Sequence, residues 1–306
     1  MKGVMVKVEF AKGAKTIQVI QDVYDREQAQ EIAEKHKSAA FGTFTNTLRA
    51  FDRSRGTVVL TGYRKRYLPF WHIAAESIYE YHRKSTYQIG VRPEVQSVSI
   101  NSQDIPVSPD APMCVFEGVD HCFEHFKKET VKDAAHEKGK DYRRYLDAKA
   151  KVVRAVEDLQ KLDVDVVPVQ IRASYLMTNL TKEILKPVHA DEILDERVII
   201  NRLTLYFTPV HVFEFKEENR DNRGTIEVDG VTGAWEKGSK LLSDLAKKYW
   251  NGDTAFDIGT EVAAAIVPGA GVGMILTKKL FDKRHANKME KQHAQLHAMY
   301  SSRKKK

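Results

Sequence analysis

What most constrains this chain is a pattern written twice. The order strand, helix, strand, aromatic, proline, strand runs through the N-terminal third and again after residue 164. Tyr67-Leu68-Pro69 corresponds to Phe207-Thr208-Pro209, and Gly56-Thr57-Val58-Val59-Leu60 to Arg197-Val198-Ile199-Ile200. A repeated order of short elements reads as a tandem duplication, each unit supplying a mainly antiparallel sheet with one covering helix. In the first unit, residues 3–9 and 16–22 alternate and are β-branched, and Lys12-Gly13-Ala14 between them predicts a hairpin. Asp25 is placed to cap a helix from Arg26 to Lys37 in which Ala29, Ile32 and Ala33 share a face. Pro69 has no N–H to give to a ladder, so it is expected at a strand start or a sheet edge.

Between the repeats the composition turns helical. Residues 119–162 are charged on most faces, with Tyr142, Leu146, Val153, Val156 and Leu159 as a stripe and Gly139 as a break. After the second repeat, Glu217 to Gly224 reads as a polar turn, Asp229-Gly230 carries a turn signal, and helical composition resumes at Lys237. The expected fold class is α+β. Residues 1–112 form a first β-rich unit, 113–163 a long charged helical segment and 164–236 a second β-rich unit. Residues 237–306 form a helical C-terminal region with an apolar hairpin (254–276) and a basic tail (278–306).

Tyr67-Leu68-Pro69-Phe70-Trp71, and later Phe207-Thr208-Pro209-Val210-His211-Val212-Phe213-Glu214-Phe215 closing in Val228-Asp229-Gly230-Val231-Thr232-Gly233, resemble the tandem β-units of zinc-ribbon-associated bacterial proteins, often labelled primosomal or helicase-like. The resemblance runs over residues 15–235 and implies an architecture and an assembly or membrane-adjacent role, with no activity attached to a given residue. This chain departs from the pattern at its start. The family begins with a four-cysteine ribbon, whereas here Cys114 and Cys122 are the two cysteines, neither near the N-terminus. A zinc site of that type cannot form.

Two cysteines provide no disulfide framework and suit a reducing compartment. MKGVMVKVEF lacks an apolar signal core, and no stretch reaches the ~18 uncharged residues of a confident membrane span. A cytoplasmic protein is expected, with membrane association left to the C-terminal region. The net charge of +7 is local: residues 278–306 hold ten lysines and arginines against Asp282 and Glu290, so the tail carries +8 and the rest −1. Any attraction to nucleic acid or anionic lipid therefore belongs to Lys278, Lys279, Lys283, Arg284, Lys288, Lys291, Arg303, Lys304, Lys305 and Lys306.

One segment carries a pattern with chemistry. His121-Cys122-Phe123-Glu124-His125 matches H-x-x-E-H, in which two histidines at i and i+4 on a helix chelate zinc while the glutamate is the general base. Glu192 or Glu196 is a third ligand by spacing, and Cys114 and Cys122 are alternative thiolate ligands. The same residues also fit a solvated helix start. A second segment, Val262 to Leu276, is uncharged and interrupted by Pro268-Gly269, which predicts two short apolar arms joined by a turn. Its apolar side chains, Val262, Ile266, Val267, Val272, Met274, Ile275 and Leu276 with Pro268, suit protein packing or a bilayer interface. His285, His293 and His297 share a stripe in the tail, and Trp71, His72, Tyr63, Tyr67, Tyr79 and Tyr81 make the first β-unit rich in aromatics.

The expected function is a non-enzymatic assembly or scaffold protein, without a cofactor. It would join copies of itself, a partner protein or a membrane surface through the C-terminal hairpin and tail. A nucleic-acid binder using the tail and a zinc hydrolase using His121, Glu124 and His125 are the alternatives.

Overall fold

The structure, a computed structural model, describes residues 5–41, 57–108, 110, 112–136, 139–219, 222–238, 255–256 and 273–277. Two long strands run side by side through it. β3 (Val58–Gly90, 33 residues) and β9 (Glu192–Glu217, 26 residues) pair antiparallel from Val58↔Glu217 to His82↔Glu192. Both are dominated by β-branched and aromatic side chains, which fit a pleated surface.

Each long strand has an outer edge shared by a succession of shorter strands. Along β9 these are β1 (Met5–Phe10) and β2 (Lys15–Ile20), both parallel, and then β10 (Arg223–Asp229), antiparallel. Along β3 they are β8 (Asp165–Val166), parallel, and then β6 (Met113–Asp133), antiparallel from Phe70↔Asp133 to Gly90↔Met113. β7 (Ala150–Val153) adds to β2, β11 (Trp235–Lys237) to β10 and β12 (Gly273–Thr277) to β1. A separate hairpin, β4 (Ser97–Ile100) and β5 (Gln103–Pro106), turns at Asn101 and Ser102, both with positive φ.

The two aromatic-x-Pro segments meet face to face. Tyr67 lies opposite Pro209, Leu68 opposite Thr208 and Pro69 opposite Phe207, so a local two-fold axis passes between Leu68 and Thr208. Ala134 N–H donates to the Pro69 carbonyl (3.1 Å) and Gly230 N–H to that of Pro209 (2.9 Å). In each long strand the proline stands where one outer neighbour ends and the next begins. There an N–H would have to find a partner between two strands, and proline has none to satisfy. Both prolines are therefore mid-strand seam residues, not the strand start or edge expected for Pro69.

The same symmetry sets the helices. Two residues past Pro69, the Trp71 indole Nε1–H donates to Ile171 O (2.7 Å), just before Arg172, the N-cap of α3 (Ala173–Ile184). Two residues past Pro209, His211 Nε2–H donates to Tyr24 O (3.0 Å), just before Asp25, the N-cap of α1 (Arg26–His36). Asp25 caps α1 as read from the sequence and forms a reciprocal capping box with Gln28. α1 buries Ala29 and Ala33 against Phe213, Phe215, Ile226 and Val228. α3 buries Leu176, Met177, Leu180 and Ile184 in the main core with Trp71, Ile73, Leu203 and Leu205. The opposite face of the sheet is covered by residues 133–136 and 139–148, where Phe70 is stacked between Tyr142 (4.6 Å) and Tyr206 (5.0 Å).

The α+β expectation is overturned: the protein is mostly β, built on one ten-stranded mixed sheet. The two strand–helix–strand–strand passages do not make separate units, because β2 of the first pairs with β9 of the second and β8 of the second pairs with β3 of the first. The charged helical segment 113–163 is instead the 21-residue strand β6, a single 3₁₀ turn at Arg143–Tyr145, β7, and a four-residue helix α2 (Glu157–Gln160). The hairpin expected at Lys12-Gly13-Ala14 is a jog within one line: β1 and β2 both run parallel to β9, with Gly13 at φ +74. In the C-terminal region, Gly273–Thr277 is strand and not a helical arm, so Met274, Ile275 and Leu276 lie on β12 opposite Val8, Lys7 and Val6. Ala255 is buried, and Phe256 meets Trp71 edge-on at 5.1 Å in the main core. Val262, Ile266, Val267, Pro268, Val272, the basic tail and its histidines lie outside the described residues. No helix among the described residues is long and apolar enough to cross a membrane.

Candidate functional site

The H-x-x-E-H segment lies on a strand, and that decides its chemistry. On a strand, residues four apart share a face and residues three apart do not. His121 and His125 face one side of the sheet, where the His121 ring meets His82 edge-on at 4.3 Å and His125 pairs with Glu76 at 2.9 Å. Glu124 points to the other side and accepts a hydrogen bond from Tyr81 OH (2.7 Å). Cys122 and Cys114 share the Glu124 face, and both are free thiols, Cys114 buried. Glu192 pairs with His82 at 3.2 Å, and Glu196 stands across from Tyr79 on the Glu124 face. The sequence-derived zinc site is thus divided between two faces. Among the described residues no three metal-capable side chains converge.

The aromatic residues divide the same way. Trp71, Tyr67, Tyr79 and Tyr81 are buried on the α3 side, while His72 is buried on the opposite side between Glu129 and Arg202. Burial pushes the His72 imidazole below its ordinary value, Glu129 only partly opposing this.

Three buried polar groups were not foreseen; each has a partner within the fold, although Arg66 Nε and Nη2 make no hydrogen bond among the described residues. His211 uses Nε2–H on Tyr24 O with Asp22 Oδ1 at 3.1 Å, which leaves Nδ1 to accept from Tyr63 OH (3.0 Å). Burial alone would raise the Asp22 carboxyl, but hydrogen bonds from His211 and Lys65 hold it below the usual range. As the counterpart of Trp71, His211 anchors the entry of α1. Arg66, fully buried, pairs with Glu227 at 2.6 Å and lies 3.6 Å from Asp165. Asp229 receives Lys140 Nζ (2.6 Å) and Tyr145 OH at one oxygen and the amides of Val231 and Thr232, both 3.0 Å, at the other. Burial opposes ionisation there too, yet the Lys140 ammonium keeps the Asp229 carboxyl low. A small pocket beside this pair is lined by Lys140, Glu227, Asp229, Trp235 and Glu236. These groups fasten residues 140–145 and the turn after β10 to the sheet.

What remains open is the arm. β9 leaves its partner at Glu192↔His82, and residues 83–90 of β3 continue with residues 113–120 of β6 as a two-stranded ribbon, about 25 Å at the usual rise per residue. One face of the ribbon is polar and cross-braced. Asp120 accepts from Ser85, Tyr87 and Arg83, and Tyr87 reaches it by lying over Gly118, where a β-carbon would stand 3.1 Å from its ring. The other face is mixed: Met113, Val115, Val119 and Phe123 form an exposed apolar ridge along β6, Val119 being 52% and Phe123 65% exposed, interrupted by Glu117 and His121 and flanked on β3 by Lys84, Thr86 and Gln88. Among the described residues the outer edge of β6 has no partner along its length. No family model, curated protein or solved structure matches the chain.

The brace makes the arm acid-sensitive. Hydrogen bonds from Ser85, Tyr87 and Arg83 bring the Asp120 carboxyl from 3.8 down to about 2. A group depressed in the folded state stabilises it above the unfolded value and loses that contribution as pH falls through the folded one. As pH drops from 3.8 towards about 2, amides of the 83–90/113–120 ribbon are expected to lose hydrogen-exchange protection before those of the central β3–β9 ladder.

Proposed function

We propose that this chain is a non-enzymatic association protein whose contact element is the β3–β6 arm, engaged by strand pairing along the outer edge of β6. The observation that supports this is a 21-residue strand with one neighbour among the described residues, bordered by exposed Met113, Val115, Val119 and Phe123. An edge of that length offers a row of backbone donors and acceptors to an added strand, and the alternate side chains supply specificity. The assembly role expected from the sequence is kept, but its seat moves from the C-terminal segment to the arm, since Ala255, Phe256 and Gly273–Thr277 are used within the fold. The hydrolase alternative is set aside by the division of His121, His125 and Glu124 between faces.

The test is a photo-reactive benzophenone residue placed at Val119, with Tyr175 on α3 as an equally exposed control. A discrete protein adduct from position 119 in cells, absent from position 175 and lost with Val115→Thr/Phe123→Thr, is the expected result. Diffuse or equal labelling at the two positions would overturn the proposal.

A further inference from the structure

Resting on that reading, we infer that the strand added to β6 is β6 of a second copy, antiparallel, with the two-fold axis at Val119. The strand is written to face itself. About that centre Val119 meets Val119, Glu117 meets His121, Val115 meets Phe123 and Met113 meets His125, all on one face of β6. A carboxylate thus faces an imidazole donor, and Val115, Val119 and Phe123 face one another. Neighbouring registers lose this. A centre at Asp120 sets Phe123 against Glu117, and a centre at Gly118 sets Val115 against His121 and Val119 against Glu117.

The opposite face is compatible. Gly118 stands across from Asp120, whose charge its own copy already meets with Arg83, and Phe116 stands across from Cys122. The guarding residues mark the same window. Edge strands are protected against pairing by lysine and proline, yet β6 has no Lys, Arg or Pro from Met113 to Phe126. Pro112 bounds that window on one side and Lys127, Lys128 and Lys132 follow on the other. Its middle falls at Val119, and in the paired arrangement Lys127 lies just past the end of the opposing strand.

Light scattering and sedimentation equilibrium on the full chain read the inference directly. The parent is expected to be a dimer. Val119→Lys, which sets two ammonium groups across the axis, is expected to weaken dimerisation about tenfold or more, and so is Glu117→Lys. Because Val119 and Glu117 are exposed on the arm, both variants are expected to unfold cooperatively and to match the parent's melting temperature at concentrations where the parent is monomeric. Glu117→Lys combined with His121→Glu restores an opposite pair in the Val119-centred register alone, so recovery of the dimer reports the register as well as the contact. A monomeric parent, a dimer untouched by Val119→Lys, or no recovery in the double variant would each overturn the inference. If the photo-adduct at position 119 joins the chain to a different protein and none joins two copies, self-pairing fails while the association role stands. If no discrete adduct forms, both fail.

Discussion

Arg66→Ala is expected to lower unfolding free energy by about 3–5 kcal/mol, read by denaturant titration with an unchanged slope. Arg66 is fully buried, with Glu227 at 2.6 Å and Asp165 at 3.6 Å. Removing the guanidinium leaves carboxylates in a dry environment without their counter-charge, and that stranded charge, rather than the lost attraction, is the larger part of the cost. The distinction is testable within the same experiment. Arg66→Met combined with Glu227→Leu deletes both charges and is expected to recover most of the loss. A double variant as unstable as Arg66→Ala would mean that shape at this site matters more than charge.

Trp71→Ala is expected to cost a similar amount, about 3–5 kcal/mol, because it empties the space of the largest fully buried side chain among the described residues. Trp71→Phe separates the two contributions. It keeps a ring against Phe256 but strands the Ile171 carbonyl that the indole N–H satisfies at 2.7 Å, for a loss of about 1–3 kcal/mol. The loss is expected to appear first at the start of α3, where Ile171 precedes the N-cap, and hydrogen exchange of residues 173–177 would locate it. Uniform destabilisation, with no early opening of α3, would count against the bracket role assigned to the Trp71 indole.

The fold was legible where sequence signals act locally. Asp25 announced its capping box, Glu217 to Gly224 turned β9 into β10, and Asp229-Gly230 began the turn ending at Gly233, whose φ is +69. β6 was not legible, for a geometric reason. Val115, Val119 and Phe123 recur every four residues, as do His121 and His125, and a spacing of four keeps side chains on one face of a helix and of a strand alike. The Lys- and Glu-rich stretch that follows tipped the balance to helix. The spacing of three, from His121 to Glu124, is what distinguishes the two, because only a helix brings those side chains together. The aromatic and β-branched density of Val115, Phe116, Val119 and Phe123 was the signal that favoured strand. Pro69 misled for a related reason: which edge a strand gives to which neighbour is settled by residues far away in the chain, here Ala134 and Val167. The buried partners Arg66–Glu227 and Tyr63–His211 lie about 150 residues apart, beyond the reach of any local pattern.

The exchange of strands between the two repeated passages bears on how the protein is made. β2 emerges early from the ribosome, yet the strand it lies against, β9, is synthesised much later; Thr16 finds its hydrogen-bond partner Thr204 at a separation of 188 residues. α1 likewise waits for Phe213 and Ile226 to give it a surface. Contacts so distant close loops at high entropic cost and slow folding. The nascent N-terminal half can form β3 and β6 as a hairpin, but it has no native floor for its first strand and helix. β2 and α1 can therefore complete their native contacts only after β9 and β10 have been made, and until then their apolar faces are left without a native partner during synthesis.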